Sequence, residues 1–148
     1  MILVDFPSYD FKVQSIKGKD QIFDPCRKKW VTLTPEEWVR QNVLQYLIQI
    51  CKYPIELIAI EKKIQLGSLA KRFDILVHRG ITPWMIIECK EANTPLNEKT
   101  ILQLLQYQQA LDATYLIASN GKETIGAEIK MGNLHMLHQF PNYVDPNL

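Results

Sequence analysis

Two carboxylates and a lysine stand within or at the end of two short apolar runs of the chain. Asp74 lies within a run at 71–77, and Glu88 and Lys90 close a second run at 84–90. Two carboxylates can hold a hard divalent cation such as Mg²⁺, and a lysine beside them can stabilise charge on a phosphoryl group. Such a cation also lowers the pKa of a bound water. These residue types indicate metal-assisted phosphodiester hydrolysis.

The same residues have a plainer interpretation. A Glu-x-Lys tripeptide is common, so Glu88 and Lys90 alone would be a solvated ion pair on an edge strand. Asp74 would then be a charge at the end of a strand. Taken by themselves, the residues favour this second interpretation, and the rest of the chain has to decide between the two.

Both runs are rich in Ile, Val and Phe, which predicts two β-strands. Side chains alternate between the faces of a strand, so Glu88 and Lys90 share one face and lie about 7 Å apart. Asp74 is expected on the face opposite Phe73 and Ile75. If the strands pair, the three ionic side chains converge at one edge of a small sheet.

Length and composition limit the class of protein. The chain has 148 residues, which predicts a single domain over 1–148, and its net charge of +1 provides no global basic field. The three cysteines lack a C-x-x-C spacing, which argues against a zinc site and a disulfide framework. No apolar run is long enough to cross a membrane, and we expect a cytoplasmic protein with no membrane partner.

The lead-in at 1–30 predicts a β-hairpin, with strands at 11–16 and 21–23. A basic cluster follows at 27–29, with Trp30 beside it. This cluster is either a phosphate-contacting patch with an aromatic neighbour or a solvated loop.

A first helix begins with a clear signal. Thr34 is a typical N-cap, Pro35 suits the first helical position, and Glu37 completes a capping box. We expect the helix to end near Cys51, before Pro54. Glu37 either caps its own helix or acts in a site, and the residues alone favour the cap.

The remaining elements follow in order. A strand at 55–64 precedes the Asp74 strand, and the three strands after the first helix form an antiparallel meander. A second helix over 97–111 places Gln103 and Tyr107 on one flank. A strand at 114–119 follows it, and a right-handed crossover predicts parallel pairing with the Glu88 strand. A terminal hairpin is expected at 125–137. The histidines, His78, His135 and His138, match no metal-ligand pattern and are taken as structural or surface residues.

Together these motifs resemble the PD-(D/E)XK nuclease core. The match is closer to the N-terminal nuclease domain of type I restriction enzyme R subunits, in a small stand-alone form. The motifs that carry this resemblance span nearly the whole chain: the lead-in at 22–30, the helix start at 34–41, Arg72-Phe73-Asp74, Glu88-Cys89-Lys90, Gln103-x-x-x-Tyr107 and Asn120-Gly121.

The resemblance implies a role for each matching residue. Asp74 and Glu88 would be metal ligands for Mg²⁺, with Mn²⁺ as a possible substitute, and Lys90 the catalytic lysine. Glu37, with Glu36 as the alternative, would be the acid contributed by the first helix. The nucleic-acid contacts would come from residues within the matching motifs: Gln103, Tyr107, Arg40 and Arg72.

The resemblance also implies a fold. We expect an α/β protein with a restriction-endonuclease-like core at 31–121, in which two main helices flank a central mixed sheet. The N-terminal hairpin lead-in at 1–30 and a C-terminal hairpin and tail at 122–148 would flank this core.

The expected activity is that of a Mg²⁺-dependent DNA endonuclease, with DNA and other restriction-system or DNA-processing subunits as partners. No G-x-x-x-x-G-K-[ST] motif occurs, so the ATP-driven translocase of complete R subunits is not carried over. The alternative is a non-catalytic nucleic-acid-binding or assembly module that keeps the nuclease fold.

Overall fold

A mixed six-stranded β-sheet forms the centre of the molecule, in a computed structural model that describes residues 1–145 and 147. Its strands lie in chain order. They are β4 (Ile58–Leu66), β5 (Leu69–Arg79), β6 (Thr82–Cys89), β7 (Tyr115–Ser119), β8 (Thr124–Lys130) and β9 (Asn133–Met136). The α/β class predicted from the sequence is confirmed.

Two helices, α1 (Pro35–Gln49) and α2 (Glu98–Leu111), cover opposite faces of this sheet. Val43 and Leu47 of α1 pack in one apolar cluster with Ile87 of β6. Ile101 and Leu104 of α2 pack in a second cluster with other residues of the same strands. Because strand side chains alternate, each face of the sheet supplies one layer of the core.

The predicted helix boundaries are close to those observed. Thr34 caps α1 by accepting a hydrogen bond from the Glu37 backbone N–H at 3.0 Å, and Pro35 occupies the first turn. The helix ends at Gln49, slightly before the predicted end near Cys51. A single 3-10 turn at Ile55–Leu57 occupies the start of the predicted 55–64 strand.

The strand pairing follows the predicted topology. β4, β5 and β6 form an antiparallel meander, and β6 pairs with β7 in parallel after the α2 crossover. The carboxyl ends of β6 and β7 therefore lie at the same edge, with Cys89 opposite Ser119. The C-terminal hairpin, β8 with β9, is also present, but it extends the main sheet rather than standing apart from it.

The expected alternation around Asp74 is wrong. Phe73 packs in the α2-side cluster, whereas Ile75, two residues later, packs in the α1-side cluster. The neighbouring strand β4 pairs Ile60 with Ile75 and Lys62 with Phe73. Glu61, between these two pairs, has a positive φ of 53°. The side chains of β5 therefore change face between Phe73 and Ile75, beside this irregular backbone, which the single-strand argument could not anticipate.

The predicted N-terminal hairpin is part of a separate three-stranded sheet. Its strands are β1 (Val13–Ile16), β2 (Lys19–Asp24) and β3 (Lys29–Thr32). Strand β3, which begins in the basic cluster at 27–29, was not predicted from the sequence. Lys17 and Gly18, both with positive φ, form the two-residue turn between β1 and β2. Among the described residues, no helix is both long and apolar enough to cross a membrane.

Candidate functional site

Asp74 sits where strands β5 and β6 separate. The last pair of the ladder between them is Ile75 opposite Ile87. Beyond this pair, Oδ2 of the Asp74 side chain accepts a hydrogen bond from the Cys89 backbone N–H at 2.8 Å. The side chain therefore takes over a bond that the neighbouring backbone would otherwise make. This contact holds the carboxylate beside the end of β6.

The second oxygen of Asp74 is held from helix α1. Arg40 Nη2 donates to Asp74 Oδ1 at 3.0 Å, and Arg40 Nη1 donates to Glu37 Oε1 at 3.0 Å. Arg40 is only 5% exposed. The predicted nucleic-acid contact by Arg40 does not fit this burial, since its guanidinium is occupied by carboxylates and positions Asp74 from within.

Glu88 is the most perturbed acid of the site. It is 8% exposed, and its Oε1 atom is buried without a hydrogen-bond partner among the described residues. Burial, followed by the charge of Asp74, raises the pKa of Glu88, while Lys71 and Lys90 lower it, and the net result is a pKa of about 7. The orphaned oxygen and the repulsion between two carboxylates both favour a cation at this place.

Lys90 follows the last residue of β6. Its backbone N–H donates to the Ser119 carbonyl at 2.8 Å, which continues the parallel pairing with β7 for one residue. Its side chain is half-buried, and its charge lowers the pKa of both Glu88 and Glu36. Lys90 therefore lies close to the acids of β6 and of α1.

The two acids at the start of α1 have different surroundings. Glu37 is buried, and both of its carboxylate oxygens accept hydrogen bonds, from Arg27 and Arg40 on Oε1 and from Gln41 on Oε2. The Glu36 side chain is 50% exposed. Burial and then the charge of Asp74 raise the pKa of Glu36. Of the two acids, Glu36 is the one whose carboxylate is open toward solvent at the site.

Strand β5 and helix α2 form the other wall of the site. Lys71 Nζ lies 3.8 Å from Glu88 Oε2 and 5.0 Å from the centre of the Tyr107 ring, as a cation–π contact. Gln103, one turn before Tyr107, is exposed and lines the same small cleft as Glu88 and Lys90. Arg72 is exposed as well.

A buried ion network ties the N-terminal sheet to this site. Asp24, at 0% exposure, accepts from Arg27 Nε at 2.6 Å and from Gln41 Nε2 at 3.0 Å. Arg27 Nη2 also donates to Glu37 Oε1 at 2.7 Å. Arg27 was expected to contact phosphate or solvent, but its guanidinium is occupied by these bonds. The Asp24-Pro25-x-Arg27 spacing is the one sequence signal that could have indicated the pair.

A cleft of about 560 Å³ opens beside Glu36 and Arg40. Its walls carry four glutamates and two arginines, so its lining is acidic in sum: Glu36, Glu37, Glu61, Glu91, Arg27 and Arg40. An anionic phosphate approaching this cleft would be repelled unless a cation were present.

The donor set fits a hard cation of the Mg²⁺ type. The described residues contain no group of three or more His, Cys, Asp or Glu side chains arranged for a metal. Mg²⁺, however, is commonly bound through one or two carboxylates and keeps several waters. The adjacent Asp74 and Glu88 meet that requirement, with the unpartnered Glu88 Oε1 as the open oxygen.

The fold and this site define a class: an α/β protein with a mixed sheet whose paired carboxylates and lysine lie where two central strands separate. Residues 35–141 match the model of the family described as the type I restriction enzyme R protein N terminus (HSDR_N). The chain belongs to this family. A search of curated proteins found no match, and neither did a search of solved structures.

Proposed function

We propose that the chain is a Mg²⁺-dependent DNA endonuclease with a restriction-endonuclease-like core of the PD-(D/E)XK type. The observation that carries the proposal is the buried Glu88 beside Asp74, with a pKa of about 7 and one oxygen without a partner. A buried acid that repels its neighbour destabilises a fold, and a bound cation would relieve that repulsion. Membership in the restriction-enzyme family supports the choice of DNA as substrate.

Asp74 and Glu88 would hold the cation, which when bound would lower the pKa of a water and neutralise charge on the phosphodiester. Arg40 and the Cys89 amide fix the orientation of Asp74. Lys71 favours the ionised form of Glu88, the form that binds a metal. Lys90 would stabilise the negative charge that develops on the phosphoryl oxygens.

The open acid at the start of α1 completes the proposed site. Glu36 has a half-exposed carboxylate close to Asp74 and Lys90, so it can accept a hydrogen bond from a water. Glu37, which the motif comparison favoured, is occupied by Arg27 and Arg40 and would support the site through them. Gln103, Tyr107 and the exposed Arg72 remain proposed contacts to DNA, whereas Arg40 does not.

We also propose that the chain works with other subunits of a restriction system. The family description names one part of an R protein, which supports a role beside further components. The proposal for Mg²⁺ and DNA does not depend on this association.

The test is a plasmid-nicking assay with Mg²⁺ or Mn²⁺, using wild type, Asp74→Asn and Lys90→Ala. Lys130→Ala is a matched control, because Lys130 is exposed at the end of β8 far from the Ser119 edge. We expect wild type and Lys130→Ala to nick DNA, and both site variants to lose at least about 100-fold in rate.

Binding of the cation is measured separately by calorimetric titration with Mg²⁺. Wild type and Lys130→Ala should release or absorb heat, and Asp74→Asn should not. Nicking that survives in both site variants would overturn the assignment of residues. Folded wild type that neither binds Mg²⁺ nor nicks DNA would overturn the proposed activity.

A further inference from the structure

The three-stranded N-terminal sheet has two unlike faces. Ile22 and Asp24 of β2 point inward and are 0% exposed, and Asp24 is bonded to Gln41 of helix α1. Phe23, between them, points to the opposite side because strand side chains alternate. This outer face lies away from the α1 contact and from the carboxylates of the candidate site.

The outer face carries an aromatic pair. Phe23 of β2 lies directly opposite Trp30 of β3, with ring centres 5.5 Å apart and planes inclined at 70°. Trp30 is 38% exposed, although an indole of this size is usually well buried. Lys12 Nζ lies 5.6 Å from the centre of the Phe23 ring. Aromatic surface and positive charge therefore occur together on a sheet face that meets solvent.

A polar row lies next to the aromatic pair on the same face. Gln14 of β1 donates from Nε2 to Gln21 Oε1 at 2.8 Å, and Gln21 is opposite Thr32 of β3. The remaining amide and hydroxyl groups of this row offer both donors and acceptors. Such groups can bond to the edges of bases that stack on the neighbouring rings.

The charge of this sheet exceeds that of the whole chain. Five exposed lysines lie between residues 10 and 34, against two exposed aspartates: Lys12, Lys17, Lys19, Lys28 and Lys29, with Asp10 and Asp20. The entire chain carries only +1. Because Asp24 and Arg27 pair with each other, they do not offset this excess. The positive charge is thus concentrated on the N-terminal sheet, with Lys29, opposite Asp24, on its inner face.

From these observations we infer that the outer face of the N-terminal sheet binds unpaired nucleotides of a single-stranded nucleic acid. Bases would stack on Trp30 and Phe23, and the Gln14–Gln21 row would meet base edges. Lys12 and Lys19, the lysines that the strand register places on this outer face, would contact phosphates. Proteins that bind single strands combine these features: aromatic surfaces on which bases stack and a basic path for the backbone. A protein partner has no comparable need for several lysines around an open indole.

This binding surface goes beyond the proposed nuclease activity and does not depend on it. The sheet precedes residue 35, where the match to the restriction-enzyme family begins. None of its outer-face residues contacts Asp74 or Glu88. The Arg27 network joins the sheet to the candidate site on its inner side, so the outer face is a separate surface.

The test is fluorescence anisotropy of a labelled twelve-nucleotide oligo-dT with the full chain, in EDTA so that no cleavage occurs. We expect Trp30→Leu to weaken binding about tenfold, which corresponds to the loss of one stacked base. Trp38→Leu is the matched control, because Trp38 is also an exposed tryptophan, but it lies on α1 against Phe11. Its affinity should remain within about twofold of wild type.

Salt dependence tests the lysines separately. The double variant Lys12→Gln with Lys19→Gln should reduce the slope of log affinity against log salt by roughly 1.4, since single strands release about 0.7 ion per phosphate contact. Lys62→Gln with Lys63→Gln, two exposed lysines of β4, should leave the slope unchanged. Equal affinity of wild type and Trp30→Leu would overturn the inference, as would a folded wild type that does not bind the oligonucleotide.

The outcome is distinguishable from that of the nicking assay. Trp30-dependent binding by a protein that does not nick DNA would leave the binding surface standing and overturn the nuclease. Nicking without Trp30-dependent binding would support the nuclease and overturn the binding surface. The exposed aromatic pair would then serve a protein contact or strand pairing alone.

Discussion

Arg40 holds Asp74 across the interface between helix α1 and strand β5, with Nη2 at 3.0 Å from Oδ1. The other oxygen of Asp74 accepts from the Cys89 amide, so the carboxylate is fixed at both ends. A carboxylate fixed in this way is already oriented for the cation that we propose. Arg40 is therefore a positioning residue, and its effect should be visible in stability as well as in activity.

Arg40→Met should lower the free energy of unfolding by about 3 kcal/mol, because it leaves buried acidic groups without their cation. The measurement is urea denaturation near neutral pH. Arg72→Met is the control, since Arg72 is an exposed neighbour of the site, and it should change stability by no more than about 0.5 kcal/mol. Equal effects of the two substitutions would contradict the positioning role.

Glu88→Gln should alter how stability depends on pH. The pKa of Glu88 is about 7 in the folded protein, above its ordinary value of 4.5. Its contribution to stability is therefore fully present below about pH 4.5 and is lost as the pH rises through 7. Relative to wild type, Glu88→Gln should gain up to about 3 kcal/mol between pH 4 and pH 8.

The comparison uses thermal or urea unfolding of both proteins without metal at several pH values. The difference between them isolates Glu88 from the other acids, which titrate in both proteins. A difference that stays constant from pH 4 to pH 8 would show that the pKa of Glu88 is ordinary. In that case the repulsion argument for a cation would fail.

Glu36→Gln and Glu37→Gln should separate activity from stability. Glu36 is half-exposed, so its substitution should reduce the nicking rate by about tenfold or more with little change in unfolding. Glu37 is bonded to Arg27 and Arg40, so its substitution should lower stability by about 2 kcal/mol. Loss of activity with unchanged stability in Glu37→Gln alone would restore Glu37 as the acid of the first helix.

Asp24→Ala should loosen the N-terminal sheet. Asp24 is fully buried and accepts from Arg27, Gln41 and the Cys26 backbone N–H, so its removal leaves a buried guanidinium without that partner. Limited proteolysis should then cut between 28 and 34 faster than in wild type. Asp20→Ala, at an exposed position of the same strand, should be cut at the rate of wild type.

Much of the fold could be predicted because its signals are local. The cap at Thr34 marked the start of α1, and the length of the second helix implied the parallel pairing of β6 with β7. The strand β3 was missed because it begins within a dense basic cluster and its four residues show no clear alternation. Pairing with β2, rather than any local preference, makes this segment a strand.

The candidate site could be predicted only in part. Asp74, Glu88 and Lys90 are recognisable because charges are unusual in apolar strands. Their partners are not, since the contacts of Arg40 and Lys71 depend on three-dimensional packing. Arg40 meets Asp74 across 34 residues of sequence. The change of face between Phe73 and Ile75 likewise lies beside an irregularity in a neighbouring strand, at Glu61.

The turn at Gly80 and Ile81 has a consequence for the order of folding. It joins β5 to β6 by two residues, so this hairpin closes a short loop and can form early. Arg40, by contrast, reaches Asp74 only when helix α1 docks on the sheet. Until then, the nascent hairpin holds two carboxylates together without the guanidinium. Docking of α1 therefore relieves the repulsion between two carboxylates that the hairpin has already brought together.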